Sequence, residues 1–321
     1  MRATAVAHPN IAVVKYWGKR DAARNLPAVP SLSVTLSRFT TTTTVEWGVD
    51  APADDVQLNG APAAPAAAEK VARFLDLITN GPRPRCRVVS VNDFPTGAGL
   101  ASSSSGFAAL ALAATTAAGA PRAPEALSAL ARQGSGSACR SLWGGWVEWR
   151  LGVAEDGGDS HGTPLAPPAH WDIRVVVAIV DGGAKKVGST AGMGATQRTC
   201  PFYDRWVETA PADVAEGRRA ILARDLERLG RVMEWSTLKM HATMLTTEPS
   251  VRYWQADSLR VLDAVDALRA RGVGAWWTMD AGPNVKVLCA AADALAVEAA
   301  LRAVVPRVET LGVGGDARLL A

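Results

Sequence analysis

Five stretches of the chain combine residue types that could do chemistry on anionic groups. Pro95-Thr-Gly-Ala-Gly-Leu-Ala-Ser-Ser-Ser-Ser-Gly106 follows a strand-like run and opens a helix of small residues. The first turn of a helix carries unpaired N–H groups and a partial positive charge, so phosphate oxygens are stabilised there. Glycines let backbone approach closely, and the hydroxyls of Ser102–Ser105 can donate further bonds or hold a metal. The loop is not a Walker loop, since no Lys-Ser/Thr pair follows, and it lacks the third glycine of a dinucleotide fingerprint. On composition alone, phosphate binding and an ordinary serine-rich helix cap stand level.

Gly134-Ser-Gly-Ser-Ala-Cys-Arg140-Ser141 sets hydroxyls and glycines beside an arginine, whose planar fork of donors suits a carboxylate or phosphate. The same residues also make a polar turn. Lys15-Tyr-Trp-Gly-Lys19 could line an anion pocket or end a strand with lysines reaching to solvent. Lys185-Lys-Val-Gly-Ser-Thr190 is basic and hydroxyl-rich. Met279-Asp-Ala-Gly-Pro-Asn284 places an acid before a forced turn, where a base or orienting group would sit, although Asp also simply starts turns. The four histidines, His241 among them, form no metal spacing and read as structural. No G-x-S-x-G elbow supports a serine hydrolase.

The elements that must position these stretches follow from hydrophobic spacing. Strands are expected at Thr4–Ala7, Ile11–Tyr16, Cys86–Val91, Trp146–Leu151, Ile173–Val180, Trp276–Met279 and Val285–Cys289, with Val34–Trp47 a long strand or hairpin. Helices are expected over Glu69–Ile78, Ser103–Ala118, Pro124–Arg132, Val214–Arg228, Leu229–Met244, Ser258–Arg271 and Ala294–Val304. The Ala/Pro-rich 51–66 and the Gly-rich 152–170 read as loops. The composition changes near Asp181–Lys185, so the chain divides into two α+β halves, 1–184 and 185–321.

Bulk properties exclude several classes. The net charge is +3, from 34 basic and 31 acidic residues scattered without a basic stripe, which argues against nucleic acid as a partner. The four cysteines fit no C-x-x-C pattern and read as free thiols of a reducing compartment. The N-terminus lacks a signal-peptide core and no window is apolar enough to span a bilayer, so the expected location is cytoplasmic, with no membrane partner.

Taken together, six pieces in chain order resemble the mevalonate diphosphate decarboxylases of the GHMP kinase superfamily. They are Asn10–Lys19, Phe94–Ser105, Arg132–Ser141, Gly188–Met193, His241–Met244 and Thr278–Asn284. The likeness runs from about Thr4 to about Ala290. The serine loop alone indicates the superfamily; Lys-Tyr-Trp-Gly-Lys, Gly-Ser-Ala-Cys-Arg-Ser and Met-Asp-Ala-Gly-Pro-Asn indicate the decarboxylase branch.

The resemblance implies a two-domain GHMP-kinase-like α+β fold. Its N-terminal ATP-binding domain (1–184) would be ribosomal-protein-like and its C-terminal domain (185–321) ferredoxin-like, with the active site in the cleft between them and a homodimeric assembly. It implies ATP with Mg²⁺, and conversion of (R)-mevalonate 5-diphosphate to isopentenyl diphosphate, ADP, phosphate and CO₂. By motif, Tyr16, Trp17, Gly18, Lys19, Ser135, Gly136, Ser137, Ala138, Cys139, Arg140, Ser189 and Thr190 would bind this small anionic substrate, with Arg140 on its carboxylate. Gly99, Leu100, Ala101, Ser102, Ser103 and Ser104 would cradle the ATP phosphates. Lys185, or the adjacent Lys186, would reach the transferred phosphate, and Asp280 would face the 3-hydroxyl as base or orienting group.

The chain departs from the family pattern in places. Trp143, Trp146, Trp276 and Trp277 stand where Phe or Tyr is expected, and Gly97 where Ala is usual. Family members often offer an Arg to the diphosphate from the helix near Glu69, and this chain has Glu69-Lys70. A decarboxylase of mevalonate 5-phosphate, or a 3-kinase that stops before decarboxylation, is therefore the alternative. A metabolite-binding pseudoenzyme would have lost Asp280, Arg140 or the serine loop, and all are present.

Overall fold

The computed structural model describes residues 1–79, 82–94, 102–183 and 186–321. The chain opens with β1 (Arg2–Ala7), β2 (Asn10–Val14), the short β3 (Lys19–Asp21) and β4 (Leu26–Pro27), β5 (Ser31–Thr35) and β6 (Thr41–Trp47). Next come β7 (Asp55–Leu58), β8 (Ala61–Pro62), α1 (Pro65–Leu75), β9 (Cys86–Asn92), α2 (Ser102–Ala117), α3 (Pro124–Gly134), β10 (Trp146–Trp149), β11 (Gly162–Ala166) and β12 (Ile173–Ala178). Then follow α4 (Ser189–Thr199), α5 (Tyr203–Ala223), α6 (Leu226–Leu245), α7 (Ala256–Ala270), β13 (Ala275–Met279), β14 (Val285–Ala290), α8 (Ala294–Arg302), β15 (Val308–Leu311) and β16 (Arg318–Leu320). The architecture is mixed α+β, as expected.

Three sheets carry the fold among the described residues, in the orders β16-β1-β6-β9-β7-β8, β11-β10-β5-β2 and β13-β14-β12-β15. In β6 the β-branched row alternates, with Thr41, Thr43, Val45 and Trp47 buried, so one face of the first sheet is apolar. Against that face lies α2, whose Ala108, Ala109, Ala111, Ala113 and Ala114 are all buried. A helix buried nearly all round needs small residues to approach a sheet closely. The Trp47 indole N–H donates to the Ala114 carbonyl at 3.0 Å, and Thr41 and Ser105 share a hydroxyl contact of 2.6 Å. Both ends of α2 are thereby fixed against the interior strand β6.

Several expectations change. Val34–Trp47 is neither one strand nor a hairpin: β5 and β6 enter different sheets, and the chain turns between them at Phe39, whose φ is 70°. The expected loop 51–66 contains β7 and β8, paired across the Asn59-Gly60 turn. The expected loop 152–170 contains β11, which pairs with β10. The helix expected from Val214 begins at Tyr203. Pro211 lies inside it, with buried Tyr203, Trp206 and Ala210 anchoring the turns before the proline. That helix also stops before Arg228, because Arg224 is left-handed (φ 56°) and Asp225 caps α6 by accepting from the Arg228 N–H. The polar run before Met193 becomes α4. Strand β12, placed by sequence in the first half, pairs with β14 and β15, whereas β16 returns to pair with β1.

Helix α6 meets β13 where Gly230 lies flat against the Trp276 indole. A Cβ at Gly230 would sit 2.0 Å from the ring. Gly→Ala in a helix interior normally gains about 1 kcal/mol, but overpacking of this kind costs roughly 1–3 kcal/mol or more. We expect Gly230→Ala to lower stability by about 1–2 kcal/mol net, read from the urea midpoint. A midpoint at or above that of the parent chain would show that the indole moves aside freely.

Candidate functional site

Strand β2 ends in a segment that cannot continue the sheet. Gly18 adopts φ 98°, and a Cβ there would lie 2.0 Å from the Tyr203 hydroxyl. The turn sends Lys15, Tyr16, Trp17 and Lys19 along one wall of a cavity of about 900 Å³. Opposite them stand α1 with Lys70 and Arg73, the first turn of α2 with Ser103, and the end of α3 running into a 3-10 segment over Gly136–Arg140. The start of α4 (Ser189, Thr190) and the β13–β14 turn (Asp280, Ala281) complete the wall. Residues from both ends of the chain converge on one space.

The electrostatic centre is Asp280. Lys15 Nζ lies 2.7 Å from its Oδ1 and Lys286 Nζ 3.3 Å from its Oδ2. Both lysines are enclosed, at 1% and 0% exposure, while the carboxylate is about a quarter exposed, at 26%, and faces the cavity. Burial alone would raise the Asp280 carboxyl, but the two ammonium groups outweigh it and hold the acid well below the usual carboxylate range. Burial is also the main influence on Lys15, bringing it down to about 8 against the opposing pull of Asp280. Lys15 Nζ donates to the Ala12 carbonyl as well, at 2.9 Å. Behind this group His241 donates from Nε2 to the Met279 carbonyl at 3.4 Å. Burial, with Lys15 second, pushes His241 down to about 3, which favours the neutral imidazole.

Arg140 is the second fixed point. Its Nε donates to Asn10 Oδ1 at 3.0 Å and its Nη1 to the Ser31 hydroxyl, and Asn10 in turn donates to Ser141 Oγ at 2.7 Å. The Tyr16 and Trp149 rings lie 4.5 Å apart, with the guanidinium 5.8 Å from the Trp149 ring. Gly136 has to be small here: a Cβ would come within 2.8 Å of Trp149 and 3.0 Å of the Tyr16 hydroxyl. That Tyr16 hydroxyl is buried with no hydrogen-bond partner in the protein, and burial raises its pKa, so it is a neutral O–H available to an oxygen. Lys70 Nζ sits 4.7 Å above the Phe107 ring. Burial lowers the Lys70 ammonium first, then the positive charges of Lys19 and Arg73.

Of the residues singled out by sequence, Tyr16, Trp17, Lys19, Ser135, Gly136, Ser137, Arg140, Ser189, Thr190, Asp280 and Ser103 line this one cavity. Trp17 does so with its indole N–H already given to Thr196 Oγ1 at 3.1 Å. Gly18, Ala138, Cys139, Ser102 and Ser104 are not among the lining residues. Gly18 serves the turn. Ala138 and Cys139 are fully buried behind the wall, the Cys139 thiol donating to the Gly136 carbonyl and pushed up to about 12 by burial. Ser104 is buried in α2, and Ser102 is its first residue. Gly99, Leu100, Ala101 and Lys185 lie outside the described residues. Sequence reasoning named Lys15 and Asn10 only as members of the Asn10–Lys19 stretch, without a role of their own, and missed Lys286 and Ser31. A lysine at position 286 between Val285 and Val287 in a buried strand was the available signal. All four cysteines are free and buried, and no helix among the described residues is long and apolar enough to cross a membrane.

Comparison with known proteins identifies the family of the chain. The model of the diphosphomevalonate decarboxylase-like N-terminal domain matches residues 7–162, and that of the mevalonate 5-diphosphate decarboxylase C-terminal domain matches residues 175–313. The chain is 40% identical to diphosphomevalonate decarboxylase ERG19 of Gibberella zeae over 314 residues, covering 91% of this chain and 82% of the relative. Its fold is similar to the crystal structure of mevalonate diphosphate decarboxylase from Staphylococcus aureus, with TM-score 0.94 and 36% identity, covering 100% of this chain and 98% of that one. It is equally similar to MDDEF in complex with MVAPP, AMPPCP and magnesium, with TM-score 0.93, 37% identity, and 100% and 99% coverage. The chain belongs to the diphosphomevalonate decarboxylase family.

Proposed function

We propose that this chain converts mevalonate 5-diphosphate and ATP to isopentenyl diphosphate, ADP, phosphate and CO₂ in the cavity around Asp280. The observation that carries this reading is the convergence of Arg140, Lys19, Lys70 and the Lys15–Asp280 pair on one wall-to-wall space. A tertiary hydroxyl leaves poorly, so its oxygen first bonds to the γ-phosphorus of ATP as the bond from that phosphorus to the β,γ-bridging oxygen breaks and ADP leaves, and the hydroxyl proton passes to the Asp280 carboxylate. The C3–O bond then breaks with its electrons going to phosphate. Positive charge at C3 is quenched as the C1–C2 bond breaks, its electrons forming the C2–C3 double bond and C1 leaving as CO₂.

The residues have roles suited to those steps. Arg140, held at Nε by Asn10 and at Nη1 by Ser31, presents the rest of its fork to the carboxylate. The unpartnered Tyr16 hydroxyl, Lys19, Ser135, Gly136, Ser137, Ser189 and Thr190 take the diphosphate, with Lys70 adding charge from α1, where Arg73 is paired with Glu69. Lys70 beside Lys19 favours the diphosphate over the monophosphate. Asp280 faces the 3-hydroxyl. Ser103, on the first turn of α2, takes the ATP phosphates, and the family resemblance assigns the transferred group to Lys185 or Lys186.

Mg²⁺ fits this donor set in one way. Among the described residues no group of three or more His, Cys, Asp or Glu could hold a metal, and Mg²⁺ on nucleotides needs only one or two protein oxygens beside the phosphates. The Ser103 hydroxyl supplies one. When bound, the ion neutralises phosphate charge. A homodimeric assembly and a cytoplasmic location accompany this reading as inferences from the family resemblance.

The test is to incubate the chain with ATP, Mg²⁺ and either mevalonate 5-diphosphate or 5-phosphate, following ADP and CO₂ separately. The reading expects ADP and CO₂ in equal amounts with the diphosphate. ADP without CO₂ would make the chain a 3-kinase, preference for the monophosphate would change its substrate, and neither product would leave a binder. Asp280→Asn is expected to lower kcat by roughly 10²–10⁴-fold while nucleotide still binds; a variant with near-parental turnover would remove Asp280 from the chemistry. Lys15 supplies the pH dependence. Its ammonium is present below about 8 and lost above it, so kcat/KM, which reports the free enzyme, should fall on the alkaline side of that point. A profile flat to pH 10 would refute the assignment.

A further inference from the structure

Strand β14 runs through the middle of a sheet, and its alternate residues are buried on both faces. Lys286 stands there fully enclosed, between Val285 and Val287 and in register with Val177 of β12 and Thr278 of β13. A buried ammonium is strongly unfavourable unless it is paired. It does not line the cavity, so it has no direct contact with a substrate there. Its Nζ meets Asp280 Oδ2 at 3.3 Å and donates to the Asn284 carbonyl at 3.3 Å. Lys15 takes the other oxygen, Oδ1, at 2.7 Å. Each carboxylate oxygen therefore has its own ammonium, one from the cavity wall and one from inside the sheet.

We propose that Lys286 is a positioning residue of the reaction, holding the second oxygen of Asp280 from within the sheet so that, together with Lys15 on the first oxygen, it keeps the carboxylate charged and aimed at the cavity. The groups facing this carboxylate are Lys15 beyond β2, Lys286 on β14, Arg140 on the 3-10 segment and the neutral His241 on α6. With Lys15 as its sole close partner, Asp280 would be free to turn about that single contact. Two contacts on opposite oxygens fix the plane of the carboxylate as well as its position. The positive charge of Lys286 also acts on Lys15, disfavouring its ammonium form.

This inference rests on the decarboxylase reading, and its test is chosen to separate the two. Lys286→Gln is expected to lower kcat at least 10-fold while the substrate KM stays within about 3-fold, and to move the alkaline limb of kcat/KM to higher pH. The direction is fixed: removing a like charge favours the Lys15 ammonium. Lys286→Arg, which keeps the charge, should leave the limb near 8 and recover most of the rate. A glutamine variant with parental kcat, or with the limb unmoved, overturns the proposal. Should that variant fail to fold, the full-length parent and Asp280→Asn, both labelled with ¹⁵N-lysine, carry the test. Loss of the carboxylate charge should shift two buried ammonium resonances, and a shift of one alone overturns the pairing. If the parent releases no CO₂ at all, the functional reading fails while this resonance test still decides the pairing.

Discussion

Enclosing an ammonium group in a protein interior costs several kcal/mol unless a counter-charge goes with it, and this fold encloses two of them around one carboxylate. Lys15 stands at the end of β2, near the N-terminus, whereas Asp280 and Lys286 flank the turn between β13 and β14. The pair therefore forms only when sheets from distant parts of the chain have docked. Breaking one partner would leave a buried charge uncompensated, so the contact specifies how the two sheets meet. Ser236 on α6 reinforces the junction, accepting from the Lys15 N–H at 3.0 Å. The cavity exists because this junction leaves room beside it.

The charge balance at that junction is uneven. Lys15, Lys286 and Arg140 are buried against the single carboxylate of Asp280, so the protein gives the cavity a surplus of positive potential. Lys19 and Lys70 extend it along the wall, and burial already lowers both. Such a surplus is tolerable when a polyanion fills the space, and it acts more strongly there than in water. A substrate with a carboxylate and a diphosphate, joined by a nucleotide triphosphate, answers that demand. The aromatic backing of Tyr16 against Trp149 keeps Arg140 from relaxing toward solvent.

Much of this was legible in the residues, and the parts that were not have physical reasons. The Thr-rich β6 carries an alternation that burial enforces, while the helix of small residues after the serine loop and the apolar β12 read as continuous apolar runs buried on nearly every side. β7, β8 and β11 are short, and Ala, Pro and Gly in and beside them hide the alternation; the pairing that makes them strands comes from β9 and β10. Strand β12 reads as the end of the first half because no local signal tells which sheet an apolar strand will join. The motif pieces brought Arg140, Asp280 and Ser103 to one cavity, since short loops between regular elements set their positions. Lys15 was hidden by an ordinary reading of a lysine at a strand end, and Asn10 and Ser31 by lying inside strands where polar residues usually face solvent.

The two-sided hold on Asp280 bears on how the proposed reaction can proceed. A carboxylate fixed by two ammonium groups is a weak base, and a tertiary alcohol is a very weak acid, so early removal of the hydroxyl proton would be uphill. In a loose phosphoryl transfer little charge builds on the attacking oxygen until the new bond is well formed, and the hydroxyl becomes acidic only then. Asp280 suits that order of events: in the proposed reaction it would accept a hydrogen bond from the hydroxyl, aim a lone pair toward phosphorus, and take the proton late. Its negative charge has a second use after phosphorylation, because positive charge then grows at C3 a short distance away. An acid held firmly in its ionised form serves both moments better than one tuned to be a strong base.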